Sequence, residues 1–198
     1  MNKLPKIIGL TGFATSGKDT FFTAINSLAK DMNLPEMTRF AFADELKREC
    51  DSFLIENVGI SAWTSEKKSK EIIRPFLVTY GTHIRRKLDQ NCWINKIKDS
   101  VENCIANNEI PVVTDVRYEN EALWVKEQEG IIVQINRESI GPANNEEESE
   151  MKKLSNYQDF SVDWPTFGAD NLSECMGFAR SFLSQLGSSM AVESNAFT

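Results

Sequence analysis

The segment Gly12-Phe13-Ala14-Thr15-Ser16-Gly17-Lys18 sets two glycines and a lysine at GxxxxGK spacing, followed by Asp19 and Thr20. Glycines at those positions let backbone N–H groups turn towards an anion. A helix starting at the lysine adds the positive end of its dipole, and the lysine ammonium reaches phosphate oxygens. Gly12, Ser16, Gly17, Lys18, Asp19 and Thr20 are therefore the candidate residues for the phosphates of ATP. Asp19 stands where a Ser or Thr usually meets Mg2+. A carboxylate beside a triphosphate is repelled unless a cation intervenes, so Asp19 is expected to meet magnesium through water and Thr20 to bond a phosphate. The alternative is a first-turn carboxylate that only complements the helix dipole.

Asp115 closes the apolar run PVVTD, where a second carboxylate could orient magnesium or accept a proton. Arg117 and Glu121 follow it at two and six residues. If Arg117 lies in the first turn of the next helix, it and Glu121 share a face, and the alternative to a site is a surface ion pair. Arg74, Arg86 and Arg117 are the cations suited to clamp phosphate with planar, bidentate donors, each with the alternative of a solvated helix-face charge. Trp93 could stack on a base or fill the core.

These residues need a scaffold, and the apolar pattern supplies one. Residues 6–11 (KIIGLT) read as a buried strand leading into Gly12, and Phe21, Phe22, Ile25, Leu28 and Ala29 recur at helical spacing from Lys18 to Lys30. Further strands are expected at 39–43, 111–116, 131–135 and 159–164. Helices are expected at 44–57, from near Arg74 to Leu88 with Pro75 at its start, through Ile94–Ile105, at 119–129, and from Leu172 with Asn171 and Glu174 at capping-box spacing. Strand–helix alternation predicts an α/β fold with a mostly parallel five-stranded sheet, helices on both faces, and ligands at the carboxyl ends of strands. Residues 137–156, rich in glutamate, read as an exposed excursion and a candidate lid.

The 198 residues suffice for one domain, expected over 1–187 with a frayed tail from 188 to 198. A net charge of −7 disfavours sequence-independent nucleic-acid binding, so an anionic substrate must be held by a few local cations. No apolar run of membrane-spanning length occurs and the N-terminus lacks a secretory pattern, so the expectation is a cytoplasmic protein without a membrane partner. The four cysteines stand far apart and His83 is the single histidine, so neither zinc nor a disulfide framework is indicated.

The ordered set GxxxxGKDT, FADELK (42–47), Arg74 ahead of YGT (80–82), Arg86, Asp89, Trp93 and DVRYENE (115–121) resembles the phage deoxynucleoside monophosphate kinases. The resemblance covers about residues 6–137. It implies a P-loop NTPase domain of the nucleoside monophosphate kinase type, which uses ATP and Mg2+ to phosphorylate a small deoxynucleotide. It also implies an acceptor region of helices over about 44–108, and it puts Arg74, Arg86 and Trp93 around the acceptor. Lys18, Asp19 and Thr20 then serve the loop, Asp115, Arg117 and Glu121 follow the strand, and Arg137 serves ATP when a lid closes. The compartment would be the host cytoplasm if a phage encodes the chain, and a homodimer stays open. Two other readings remain at this point: a kinase of another small phosphorylated acceptor, of the dephospho-coenzyme A or phosphomevalonate type, and an ATP-binding switch subunit that is not a kinase.

Overall fold

The computed structural model describes residues 4–164 and 172–193. The described chain groups into two compact units, Met1–Arg39 with Glu102–Thr198, and Phe40–Val101.

The first unit carries a sheet of five strands: β1 (Ile8–Thr11), β2 (Met37–Phe40), β3 (Ile110–Val113), β4 (Ile131–Arg137) and β5 (Phe160–Trp164). Their order is β2-β3-β1-β4-β5. β1 runs parallel to both β3 and β4, with Gly9 opposite Val113 and Ile132, and β4 runs parallel to β5. The alternation of side chains along a strand splits β1 between two faces. Ile8 and Leu10 join Phe21, Ile25 and Leu28 of α1 (Lys18–Asp31), and Phe182 and Leu183 of the C-terminal helix, in one buried cluster. On the other face, Gly9 lies against Ile132, Val116 and Val125, the last from the helix Glu119–Glu127. Phe182 meets Phe21 and Phe160 edge-on at centroid distances of 5.3 and 5.7 Å, tying two helices to β5.

The second unit is helical: α2 (Phe42–Val58), α3 (Lys67–Val78), a π-helical segment (Thr79–Arg85), a single turn α4 (Arg86–Leu88) and the start of α5 (Cys92–Ala106). Its core gathers Cys50, Leu54, Ala62 and Ile73, with Phe53, Phe76 and Tyr80 in a stacked ladder at 5.3 and 6.0 Å. Glu49 accepts the Tyr80 hydroxyl at 2.6 Å and pairs with Arg85 and Lys96. Burial raises the Glu49 carboxyl, but these donors outweigh it and hold the group below its ordinary value.

Among the described residues, helices α6 (Glu119–Glu127), α7 (Asn145–Leu154) and α8 (Leu172–Glu193) complete the set of α-helices. Several boundaries differ from the sequence reading. β2 ends at Phe40 and α2 starts at Phe42, because Phe42 is buried as a first-turn residue and Asp44 and Glu45 follow at the positive end of the helix dipole. Helix α3 starts at Lys67, so Pro75 lies inside it and not at its first turn. The missing Pro75 N–H leaves the Glu71 carbonyl without its helical donor, and Glu71 and Pro75 are both exposed. The 137–156 excursion contains α7, whose Leu154 is buried, so part of it is packed structure. Helix α8 extends through Glu193, beyond the point where fraying was expected; Asn171, its anticipated cap, and residues 194–198 lie outside the described residues. Among the described residues no helix is long and apolar enough to cross a membrane.

Candidate phosphate-binding site

The loop from Gly12 to Gly17 leaves the carboxyl end of β1 and feeds α1. Gly12 has φ of 140° and Gly17 of 97°, in the region that L side chains avoid. Gly12 is also fixed by space, since a Cβ there would stand 2.3 Å from the Ile135 carbonyl oxygen. Ser16 is buried, while Asp19 and Thr20 are exposed on the first turn of α1.

Lys18 folds its ammonium back over the loop, donating to the carbonyls of Gly12 and Phe13 at 2.8 Å each. Burial and the nearby Arg117 charge lower its pKa to about 8, against the opposing pull of Asp115, Asp19 and Glu147. Arg137, at the end of β4, donates to the Thr15 carbonyl at 3.2 Å, and Thr15 itself has φ of 63°. Arg137 is thus in contact with the loop backbone.

Asp115 falls in the turn two residues past β3, because the strand ends at Val113 and the chain must leave the sheet to reach α6. Arg117 precedes α6, which begins at Glu119, so the shared helical face with Glu121 does not form. Glu121 instead is 1% exposed, and its Oε2 accepts the backbone N–H groups of Arg117 and Tyr118 at 2.7 and 3.0 Å. A carboxylate reaching back from the third helical position satisfies donors that the helix start leaves orphaned. Glu121 therefore shapes the segment that carries Arg117 from beneath it.

Two residues enter the site that the sequence placed only in the acidic excursion and in a strand. Glu147 of α7 accepts the Ala14 N–H of the loop through Oε1 at 3.2 Å, and the same oxygen lies 3.9 Å from Nη1 of Arg117. Its other oxygen accepts the Ala143 N–H at 2.7 Å. Arg39, in β2, donates Nε to Oδ1 of Asp19 at 3.0 Å. The only local trace of Glu147 is its position three residues after Asn144, whose Oδ1 accepts the Glu147 N–H and caps α7. Arg39 has no such trace beyond its place near a strand's carboxyl end.

The remaining candidates belong to the second unit. Arg74 is exposed on α3, and Arg86 donates to the Gln90 carbonyl at 3.3 Å. Trp93 does not offer an open ring for stacking. It is 3% exposed, its indole N–H donates to the Gly81 carbonyl at 3.3 Å, and the Arg85 guanidinium lies 5.6 Å from its ring centroid. The π-helical turn brings Gly81 so close to Leu46 that a Cβ would meet its side chain at 2.9 Å.

The loop thus presents a backbone donor already holding an anionic oxygen, a buried ammonium, and two arginines, a combination that fits a polyphosphate. Among the described residues no group of three or more His, Cys, Asp or Glu side chains could hold a metal ion. The exposed Asp19 carboxylate and Thr20 hydroxyl fit a magnesium ion that arrives with nucleotide oxygens and water.

No protein-family model matches the chain, and no curated protein matches it in sequence. Among solved structures it is similar to a dephospho-CoA kinase from Campylobacter jejuni, at 13% identity over 92% of this chain and 98% of that one, with a TM-score of 0.50. Lower-scoring likenesses are to a shikimate kinase from Bacteroides thetaiotaomicron (10% identity, 91% and 97% covered, TM-score 0.45) and a gluconokinase from Sinorhizobium meliloti (16%, 97% and 99%, 0.43). The first likeness bears on fold alone. Together with the strand order and the loop after β1, it identifies the α/β fold as the P-loop kinase type.

Proposed function

We propose that the chain is an ATP- and magnesium-dependent phosphotransferase whose acceptor is a deoxynucleoside monophosphate. The observation that carries the reading is the loop itself. Lys18 and the Ala14 N–H converge after β1, and the N–H already bonds a carboxylate oxygen where a phosphate oxygen would be suited. The choice of acceptor rests on the resemblance through FADELK, YGT and DVRYENE.

In this reading Gly12, Ser16, Gly17, Lys18, Asp19 and Thr20 bind ATP, with Arg137 at its margin; Arg74, Arg86, Trp93, Asp115, Arg117 and Glu121 serve the acceptor. Of these, Trp93 and Glu121 act from buried positions, by shaping the region around them. An acceptor phosphate oxygen attacks the γ-phosphorus and the bond to the β–γ bridging oxygen breaks, leaving ADP. The attacking phosphate loses its second proton near pH 6, at about the usual pKa of a phosphomonoester, so it needs no strong base. Asp115 would then help to hold magnesium in place. Magnesium, when bound, supplies charge neutralisation across the transferred phosphoryl group. Lys18 and Arg117 add fixed positive charge as it moves.

The test is ADP release with Mg2+-ATP across the common deoxynucleoside and ribonucleoside monophosphates and dephospho-coenzyme A, with Lys18→Ala as control. Stimulation by deoxynucleotides that vanishes in the control supports the reading. Stimulation by dephospho-coenzyme A alone would favour the second reading, which the fold likeness to a dephospho-CoA kinase suggests. Acceptor-independent hydrolysis would point to a switch subunit.

A further inference from the structure

We propose that Glu147 is a built-in, displaceable ligand of the phosphate loop, which occupies a loop N–H and yields its place, and its hold on Arg117, when a nucleotide binds. The proposal rests on the phosphate-binding reading above and concerns how that site is regulated.

Three features of Glu147 support it. Its Oε1 takes the Ala14 N–H, a donor of the loop whose N–H groups are suited to phosphate, at 3.2 Å. The same oxygen is 3.9 Å from the Arg117 guanidinium, so one anionic atom touches two of the site's positive groups. The second oxygen stays with the Ala143 N–H at 2.7 Å, and the residue's own N–H is held by Asn144 at 2.8 Å. The carboxylate therefore has one anchored oxygen and one exchangeable oxygen. Displacing it costs a long hydrogen bond and a partly exposed ion pair, both weak, while the first turn of α7 continues to stabilise the negative charge.

A phosphate oxygen and Glu147 Oε1 cannot share the Ala14 N–H without repulsion. Nucleotide entry must move the carboxylate aside, and Arg117 then passes from a carboxylate to a phosphate. Competition by an internal anion scales the apparent affinity down to the fraction of molecules in which the donor is free. The Thr11 hydroxyl lies 3.7 Å from the Met151 sulfur of the same helix, so α7 is seated beside the loop by more than this carboxylate.

The experiment is calorimetric titration of the full chain with Mg2+-ATP and, separately, with inorganic pyrophosphate, for wild type, Glu147→Gln, Glu147→Ala and Glu146→Gln. Glu147→Gln keeps an oxygen for Ala143 and so protects the fold, while Glu147→Ala removes the competitor altogether. The expected result is a Kd lower by about threefold to tenfold for both ligands in the Glu147 variants. Glu146→Gln removes the same charge from an exposed neighbour and should stay close to wild type. Unchanged or weaker binding in both Glu147 variants overturns the proposal, as does an equal gain in Glu146→Gln, which would be general electrostatics. A wild-type chain that binds neither ligand overturns the phosphate-loop reading together with this one.

Discussion

Arg39 and Asp19 form an ion pair across the mouth of the loop, with Nε of the arginine 3.0 Å from Oδ1 of the aspartate. The aspartate side chain is 74% exposed and the arginine 36%, so the pair contributes little to stability, on the order of 0–1 kcal/mol. Its consequence is chemical, because the guanidinium neutralises the carboxylate proposed to meet magnesium. Arg39→Ala is expected to change the free energy of unfolding by no more than about 1 kcal/mol while lowering the magnesium concentration needed for half-maximal ADP release. A magnesium titration of both proteins checks this. An unchanged or raised requirement would remove Asp19 from the magnesium site.

Lys18 predicts a linked proton. Burial and Arg117 bring its pKa down to about 8 from 10.5. Below the lowered value both folded and unfolded chains carry the charge, and the fold bears its full cost. Between about pH 8 and 10.5 the folded lysine gives up its proton first, so this cost is relieved as pH rises. A bound phosphate reverses the shift by favouring the ammonium. ATP binding should therefore take up a proton at about pH 8.5, where the nucleotide is itself fully deprotonated, and almost none near pH 7. Calorimetry in buffers of different protonation enthalpy measures the uptake, and its absence at the higher pH would contradict the burial argument.

Glu121 predicts a stability effect out of proportion to a surface glutamate. Its buried Oε2 satisfies two backbone donors, those of Arg117 and Tyr118. Glu121→Ala should cost about 2–4 kcal/mol, and Glu121→Gln, which keeps an oxygen acceptor, about 1–2. Urea unfolding distinguishes these. Losses under about 0.5 kcal/mol in both variants would mean that the two amides find water as readily as the carboxylate.

The loop and its scaffold were legible because their signals are local. Glycines at fixed spacing, an apolar run before them and a helical stripe after them define strand, loop and helix without reference to the rest of the chain. The sheet strands followed for the same reason, with errors where aromatic residues suggest both states, as at Phe40 and Phe42. Pro75 marked a helix start by a local rule that the helix does not obey, since Ile73 already commits the preceding turn to the core.

The partners of the loop were decided by tertiary structure. Ala14 and Glu147 are separated by 133 positions, and nothing in either neighbourhood names the other. They meet because β1 and β4 are adjacent strands, so the segment after β4 returns to the end of β1. Trp93 was open between base and core on its sequence; a carbonyl 12 residues away, in a π-helical turn that no periodicity announces, drew its indole inward. Residue types and short spacings thus determined which chemistry the chain carries, while strand order and burial decided which charges face it, because those depend on contacts between segments that local pattern does not encode.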